Sequence, residues 1–581
     1  MLTKYLSTVL LIIIIFLEGC DFNNIPVSNE TNPDIEKIKN LGFREDMIKE
    51  YKEFYLVGGC IKILKEDLKN NRLYHYSTPG QPPVNRNLIT NVTVRVDQSI
   101  PLSGPDNWRN EVISAINYWN SINETLINFV YTTSSTADIT ISSDYELLDN
   151  YTIAAATFPT IDKRPGVLIQ INLDYNNNEN VSSGQKIYNM VHELGHCIGF
   201  RHTNWLSRGE AEMNAIHITG TPLGQDPNSV MNGGTASYTW NGFSNYDIKA
   251  AQYLYTPYYE VLGMSDITQG SGITICDLNY NNRPEIILMT LDAPTGPNNF
   301  RYKIGWDMDP YGTVSYWQNY IQLPLSFNFG DEAQGGSITA AKINNNNLID
   351  LIFMSLDNPV GNNNFRYVIA YDINTNGFPS YYSSNYVQIT GMGSEAQGAG
   401  VAVGYINNNI LPDLILMSLD NPPGANNIRY KIGWDLNSSG IASSWSNYIQ
   451  IDGMGNDADG AGISLYNLDS DPRPEIVLMV IDDPQHTNEF RYKIGWNLDN
   501  NGNPSYWSSV VYKAGVGHDQ EYGGIAIYDV DGNMKPEMIL MGQDAPNGPN
   551  TFRYRIAWNL INGNPTSWDY NTSAPEIIAS E

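Results

Sequence analysis

Apolar residues are distributed unevenly along the 581-residue chain, and the changes in their spacing divide it. Behind Lys4 comes an unbroken run, Leu10 to Leu17. It is too short to cross a bilayer as a helix and fits the core of a signal peptide, so residues 1–20 read as a targeting segment. Residues 21–33 are polar, carry Pro26 and Pro33, and read as a tether. Asp34 to Glu53 reads as a helix, followed by the apolar run Phe54-Tyr55-Leu56-Val57 and by Gly58-Gly59-Cys60. Residues 71–92 form a polar linker around Pro79, Pro82 and Pro83. From there the spacing alternates between two periods. Val92–Val96, Ile127–Tyr131, Ala137–Ile141 and Val167–Ile171 read as strands. Between them, Val112, Ile113, Ile116, Trp119 and Ile122 sit at helical spacing. Gln185 to Phe200 reads as a second helix and Asp247–Tyr255 as a last one.

After Tyr258 the pattern repeats. A Phe/Ile-Arg-Tyr tripeptide recurs at Arg301, Arg366, Arg429, Arg491 and Arg553, with separations of 65, 63, 62 and 62 residues. Each unit also holds an apolar run ending in Met289, Met354, Met417, Met479 or Met541. Five units of short strands and Gly/Asn/Pro turns, with no helical period, predict a five-bladed β-propeller, because radial closure hides the strand edges. An open solenoid or a pair of smaller domains is the alternative. The expected architecture is therefore multidomain. A tether with a short helical and apolar stretch (21–90) and an α+β domain (91–257) precede an all-β five-repeat propeller (258–581).

Charge narrows the partners. Lys plus Arg number 33 against 62 Asp plus Glu, a net −29, which argues against nucleic acid or an anionic membrane as the main partner. Four cysteines, Cys20, Cys60, Cys197 and Cys276, are too few for a disulfide framework. The end of the leader, Leu17-Glu18-Gly19-Cys20, resembles a bacterial lipoprotein signal, which implies lipidation at Cys20 and a place at the cell surface or outer membrane. Glu18 departs from that pattern, and an ordinary signal peptide with secretion is the alternative. No later segment is long and apolar enough to span a membrane as a helix, so contact with lipid is expected only through an anchor.

The chemistry concentrates in Val191-His192-Glu193-Leu194-Gly195-His196-Cys197-Ile198-Gly199-Phe200-Arg201-His202, which holds three of the seven histidines. His192 and His196 are one helical turn apart and share a face, so both imidazoles can reach one ion. Gly199 allows the helix to stop and the backbone to reverse, which delivers His202 to the same ion. Three imidazoles and one open position suit a catalytic Zn2+, and Glu193 is placed to act as general base.

This H-E-x-x-H-x-x-G-x-x-H pattern resembles the metzincin metallopeptidases, and Asn228-Ser229-Val230-Met231 resembles their Met-containing turn. Within that clan, HELGHCIGFRHTNW resembles the bacterial dual-action HEIGH metallo-peptidases, and the likeness extends over roughly residues 38–257. The resemblance implies a zinc endopeptidase with protein or peptide substrates and with Met231 packed beneath the imidazoles. It also implies an acidic residue where Cys60 stands. Tyr238 and Tyr246 are candidates for stabilising an oxyanion. Cys60 could occupy zinc's open position as a latency switch; a buried apolar Cys, or a disulfide to Cys197, are the alternatives.

The repeats carry a second candidate. Asp277, Asn279, Asn281 and Glu285 are spaced to wrap a hard cation such as Ca2+. So are Asn467, Asp469, Asp471 and Glu475, and Asp529, Asp531, Asn533 and Glu537. These loops resemble FG-GAP or VCBS repeats. The second and third units (Asn344, Asn346, Asp350; Asn407, Asn409, Asp413) carry fewer acids. Self-bonded Asx turns with no ion are the alternative. The recurring tryptophans read mainly as blade core, with exposed aromatics left to stack on surface glycans or grip proteins. The expected protein is thus a surface-anchored or secreted zinc endopeptidase whose propeller targets it. The rival is an adhesin or glycan-binding propeller with a silent peptidase domain.

Overall fold

The computed structural model describes residues 32–569 apart from 42, 70–81, 144–151, 176–179, 209–216, 219, 265–267, 293–298, 325–332, 345, 358–363, 393–395, 408, 421–425, 453, 456–457, 483–488, 517–519 and 545–550. The leader and Cys20 lie outside the described residues.

The first body is built on one mixed sheet. Helix α1 (Pro33–Asn40) ends at Leu41, well short of the predicted helix to Glu53. A 3-10 turn and strand β1 (Ile48–Glu50) follow, because residues 48–50 pair with β2 (Phe54–Val57) rather than continuing the helix. Strand β3 (Ile61–Leu64) returns antiparallel to β2, and short helices α2 (Lys65–Lys69) and α3 (Arg86–Ile89) come next. Then come β4 (Val92–Val96), α4 (Arg109–Asn120), β5 (Phe129–Tyr131), β6 (Ile139–Ser143), β7 (Ala154–Thr157) and β8 (Leu168–Ile171). The body closes with α5 (Ser183–Cys197), α6 (Trp205–Arg208) and α7 (Asn245–Leu254). The strand order is β1-β2-β3-β7-β8-β6-β4-β5. β7 runs antiparallel to β8, and β3 joins the far edge of β7 in parallel, so the β2–β3 hairpin extends the sheet that the later strands form.

Helix α5 is delimited by its sequence. Ser182 and Gln185 form a reciprocal capping box: the Ser182 hydroxyl accepts from the Gln185 N–H and the Gln185 side chain accepts from the Ser182 N–H. At the other end Gly199 sits at φ +99°, and the Phe200 N–H returns to the Gly195 carbonyl at 2.9 Å. Met190, Val191, Leu194 and Cys197 are fully buried against the sheet and α4, whose Trp119 indole N–H donates to the Val191 carbonyl at 3.0 Å. Burying each such aliphatic side chain contributes about 1.5–3 kcal/mol. Ile113, at core spacing in the sequence, is 37% exposed instead.

The second body is a five-bladed propeller. Its first blade runs Thr268–Cys276, Glu285–Asp292, Asn299–Trp306 and Tyr316–Trp317, and four further sheets repeat this order. The innermost strands contact one another in sequence, and the first contacts the fifth, which closes the ring. Strand β9 (Tyr259–Leu262) pairs with Thr551–Trp558 of the last blade, so residues from the two ends of the repeat region share one sheet. The recurring Tyr of the tripeptide links blades: the hydroxyls of Tyr302, Tyr367 and Tyr430 donate to the carbonyls of Gly377, Gly440 and Gly502 in the following unit. Trp306, Trp496 and Trp558 are buried in blade cores.

Candidate metal centre

His192 and His196 project from one face of α5, and the turn at Gly199 brings His202 beside them. The ring centroids lie 4.5 Å (192–196), 5.3 Å (192–202) and 4.9 Å (196–202) apart. All three side chains are buried. The Nδ1 atoms of His192 and His196 lie 2.7 Å from the carbonyls of Val230 and Phe200. A carbonyl only accepts, so each Nδ1 carries the proton and each Nε2 presents a lone pair. Burial lowers the pKa of His196 well below its ordinary value, and the charges of His192 and His202 push it the same way, which keeps the ring neutral and able to ligate.

Residues 226–233 hold this arrangement from below. Asp247, buried near the start of α7, accepts from the N–H groups of Val230 and Ser244, both at 3.0 Å, and from the Ser229 hydroxyl. The Val230 carbonyl so fixed is the one that orients His192. The Met231 N–H donates to Ser229 Oγ at 3.0 Å, and the Met231 side chain, 3% exposed, packs against Gly195. A Cβ at Gly195 would lie 2.6 Å from the Met231 sulfur, so the helix and the turn are in tight contact there. The Thr203 N–H donates to the Met231 carbonyl at 2.9 Å, tying the turn to the residue after His202.

Glu193 is 1% exposed. Burial raises its carboxyl well above the ordinary range, opposed by the Ala156 N–H that donates to it. Its Oε2 is buried with no hydrogen-bond partner. A cavity of about 230 Å3 opens beside it, lined by residues including Tyr188, His192, Glu193, Arg208 and Thr235. Tyr188 and Arg208 escape a reading by sequence, since neither belongs to a recognisable motif. Tyr238 and Tyr246 do not line this cavity; they are 55% and 41% exposed.

The fourth direction is filled by Cys60. Its Sγ lies 3.0 Å from His202 Nε2 and 3.6 Å from His196 Nε2. One potential ligand atom from each of Cys60, His192, His196 and His202 lies within 4.8 Å of all the others. Nitrogen and sulfur donors in fours are a zinc set, and the orphaned Glu193 oxygen shows a site built for more than these side chains. Cys60, Cys197 and Cys276 are in no disulfide, which excludes the Cys60–Cys197 bond. Cys197 is fully buried in the core behind α5.

Residues 63–255 match the family model of the dual-action HEIGH metallo-peptidases. This match supports metallopeptidase activity in these residues, and the family implies zinc as the metal. Cys60 lies just ahead of the HEIGH region, and the propeller lies beyond it. No curated protein matches the chain.

The repeat loops behave differently from one another. In the first, Asp277, Asn279 and Asn281 accept from backbone N–H groups of their own loop. Glu285, fully buried, accepts from the N–H groups of Leu278 and Asp307. Asp350, Asp413, Glu475 and Glu537 make the equivalent pair of bonds in their blades, so this carboxylate serves as a blade latch throughout. In the fourth loop, Asp471 is held by Arg473 at 2.8 Å and the Asn467 amide donates to the Asp471 carbonyl. In the fifth, Asp529, Asp531 and Glu537 offer oxygens within 4.8 Å of one another, and Asp529 Oδ1 is buried without a donor.

Proposed function

We propose that the HEIGH domain hydrolyses peptide bonds in proteins, with His192, His196 and His202 holding zinc and Glu193 acting as general base. The buried, unpartnered Glu193 Oε2 beside three inward-facing imidazole nitrogens carries this reading. Zinc in such a site supplies Lewis acidity toward a peptide carbonyl and water. Glu193 takes a proton from the attacking water and passes it to the leaving amine, and its apolar surroundings strengthen it as an acceptor. The Val230 and Phe200 carbonyls keep the rings oriented throughout. The test pairs metal content with gelatin hydrolysis. Glu193→Gln should retain zinc while losing activity by about 10²- to 10⁴-fold. Equal residual activity in that variant and in the parent would refute the assignment.

The leader supports an activity exercised outside the cell. Residues 1–20 direct export, with a lipid on Cys20 as the anchor; the mass of the mature N-terminal peptide checks both. Calcium binding is assigned to the fifth repeat, where Asp529, Asp531 and Glu537 converge. Titration calorimetry should show it and Asp531→Asn should abolish it. The propeller serves to bind surface glycans. A cleft of about 750 Å3 in the second and third repeats is lined by Asn344, Asn346, Tyr371, Tyr381 and Tyr386. Tyr371 and Tyr381 stack at 4.7 Å, and the pairs Trp306–Tyr316 and Trp496–Tyr506 repeat the motif. Aromatic faces beside amide groups suit sugar rings. Loss of binding on a glycan array in Tyr381→Ala supports this role, and unchanged binding ends it.

A further inference from the structure

The five blades copy one plan, and they differ at two positions of one cleft. The first position is the residue paired with the aromatic that ends the third strand. Trp306 pairs with Tyr316, Tyr371 with Tyr381 and Trp496 with Tyr506, but Trp434 pairs with Ser444 and Trp558 with Ser567. The second position is the residue whose N–H donates to an isoleucine carbonyl of that third strand. In blade order it is Gln318, Ser383, Ser446, Ser508 and Asp569. A tyrosine at the first position meets a serine at the second in the second and fourth blades alone.

Both of those blades carry an open cleft. One, of about 750 Å3, lies beside Tyr381 and Ser383, and its far wall is Ser438, Ser439 and Ile441 of the next blade. The other, of about 280 Å3, lies beside Tyr506 and Ser508, walled by Asn562, Gly563 and Asn564. The remaining blades lack the combination for identifiable reasons. In the first, Gln318 accepts from the Trp306 indole N–H at 2.7 Å, and a Cβ on Gly377 of the next turn would lie 2.9 Å from its Nε2, so this side chain bridges the gap. In the fifth, Asp569 is buried in its ion pair with Arg555. The third keeps its serine but has Ser444 where a ring would stand.

Tyr381 and Tyr506 are 49% and 57% exposed, and each is backed by a second ring, Tyr371 at 4.7 Å and Trp496 at 6.1 Å. Each is therefore a supported platform with one face outward. Among the described residues lining the first cleft none is charged, and in the second only Asp469 is. That is notable on a chain of net charge −29. Asn344, Asn346, Asn562 and Asn564 offer neutral donors and acceptors. The Tyr367 hydroxyl ties the far wall of the first cleft by donating to the Gly440 carbonyl at 2.8 Å. Tyr492 holds the same place in the fourth blade, fully buried, and its hydroxyl has no partner. A buried hydroxyl left over in this way calls for an oxygen from outside the protein.

We infer that the second and fourth blades carry a matched pair of subsites for the uncharged sugars of a polysaccharide, and that the other three blades carry none. This rests on the reading of the propeller as a glycan-binding module and assigns its sites and its class of sugar. The C–H face of a pyranose lies on the tyrosine platform, and its hydroxyls meet amides and serines. A carboxylated or sulfated sugar finds no cation in either cleft and meets Asp469 in one.

The experiment is affinity electrophoresis of the purified full chain in native gels holding dextran, galactomannan or soluble starch, and in gels holding alginate or polygalacturonate. An uncharged polymer should retard the wild type, and the acidic ones should not. Tyr381→Ala and Tyr506→Ala should each remove part of the retardation and the double variant all of it. Tyr448→Ala, 52% exposed but outside both clefts, should leave it unchanged. In the wild type, the retarding polymer should protect Tyr381 and Tyr506 from nitration by tetranitromethane, read by peptide mapping, while Tyr448 reacts regardless. That protection decides the sites even where a variant misfolds. Retardation that survives in the double variant, or an unprotected Tyr381 and Tyr506, would overturn the assignment to these blades and leave the glycan reading standing. Retardation by the acidic polymers alone would overturn the class of sugar. No retardation by any of the five would defeat the glycan reading and this inference with it.

Discussion

Gly199→Ala tests the turn that brings His202 to the centre. Two independent costs follow from the structure. Gly199 sits at φ +99°, and forcing an L-residue there costs about 1–2 kcal/mol. A Cβ at this position would also lie 2.4 Å from Pro83 Cβ and 2.6 Å from Pro83 Cγ, atoms of a rigid ring that cannot swing aside. Overpacking of that kind costs about 1–3 kcal/mol, so the total comes to about 2–5 kcal/mol. In a domain of this size that lowers the melting temperature by roughly 5–15 °C. The assay is differential scanning calorimetry with and without zinc, in which the transition that moves with zinc belongs to the peptidase domain. Gly104→Ala is the control. Gly104 has φ +82°, and a methyl group added there would meet nothing within 4 Å, so it should incur only the conformational cost. Equal losses in the two variants would refute the Pro83 contact, and an unchanged melting point in Gly199→Ala would refute the turn.

Met231→Ala removes a side chain that is 3% exposed and in contact with Gly195, and should cost about 2–5 kcal/mol in the zinc-dependent transition, read in the same scans. Arg555→Met should destabilise the propeller by about 3–5 kcal/mol in urea unfolding, because it strands the buried Asp569 and releases the Ala514 carbonyl of the preceding blade. The blade latches predict a pH dependence. Burial lifts Glu285 and Glu475 to about 7 and Glu537 to about 8. Their folded pKa values exceed the unfolded ones, so their contribution is complete below pH ~4.5 and is lost as pH rises toward 8. The metal-free propeller should therefore melt at a lower temperature at pH 8 than at pH 5, with Glu537→Gln reducing the difference; a rise in melting temperature across that interval would contradict it.

Local chemistry made much of this protein readable. Helix α5 was legible from its apolar period, but it runs Ser183–Cys197 rather than the expected Gln185–Phe200, because Ser182 and Gln185 cap its start and the turn at Gly199 ends it before Phe200. The propeller was legible because a spacing of about 62–65 residues copies one blade five times. The helix expected from Asp34 to Glu53 is where local propensity gave way: residues 48–50 find their hydrogen bonds on β2, and that pairing outweighs helical spacing. Strand β7 was invisible because Ala154-Ala155-Ala156-Thr157 has neither alternation nor bulk; it is a strand only because β3 and β8 flank it.

Sequence alone determined the donor set His192, His196 and His202, since one helical turn and one glycine reversal are short-range geometry. It also determined the count of blades. Only the tertiary structure decided that Cys60, more than 130 residues before His196, stands 3.0 Å from His202 Nε2. It alone paired β9 with the last blade. Both depend on which strand edges meet, and an edge offers the same N–H and C=O groups whatever its side chains, so the choice of partner is made by the packing of the whole sheet.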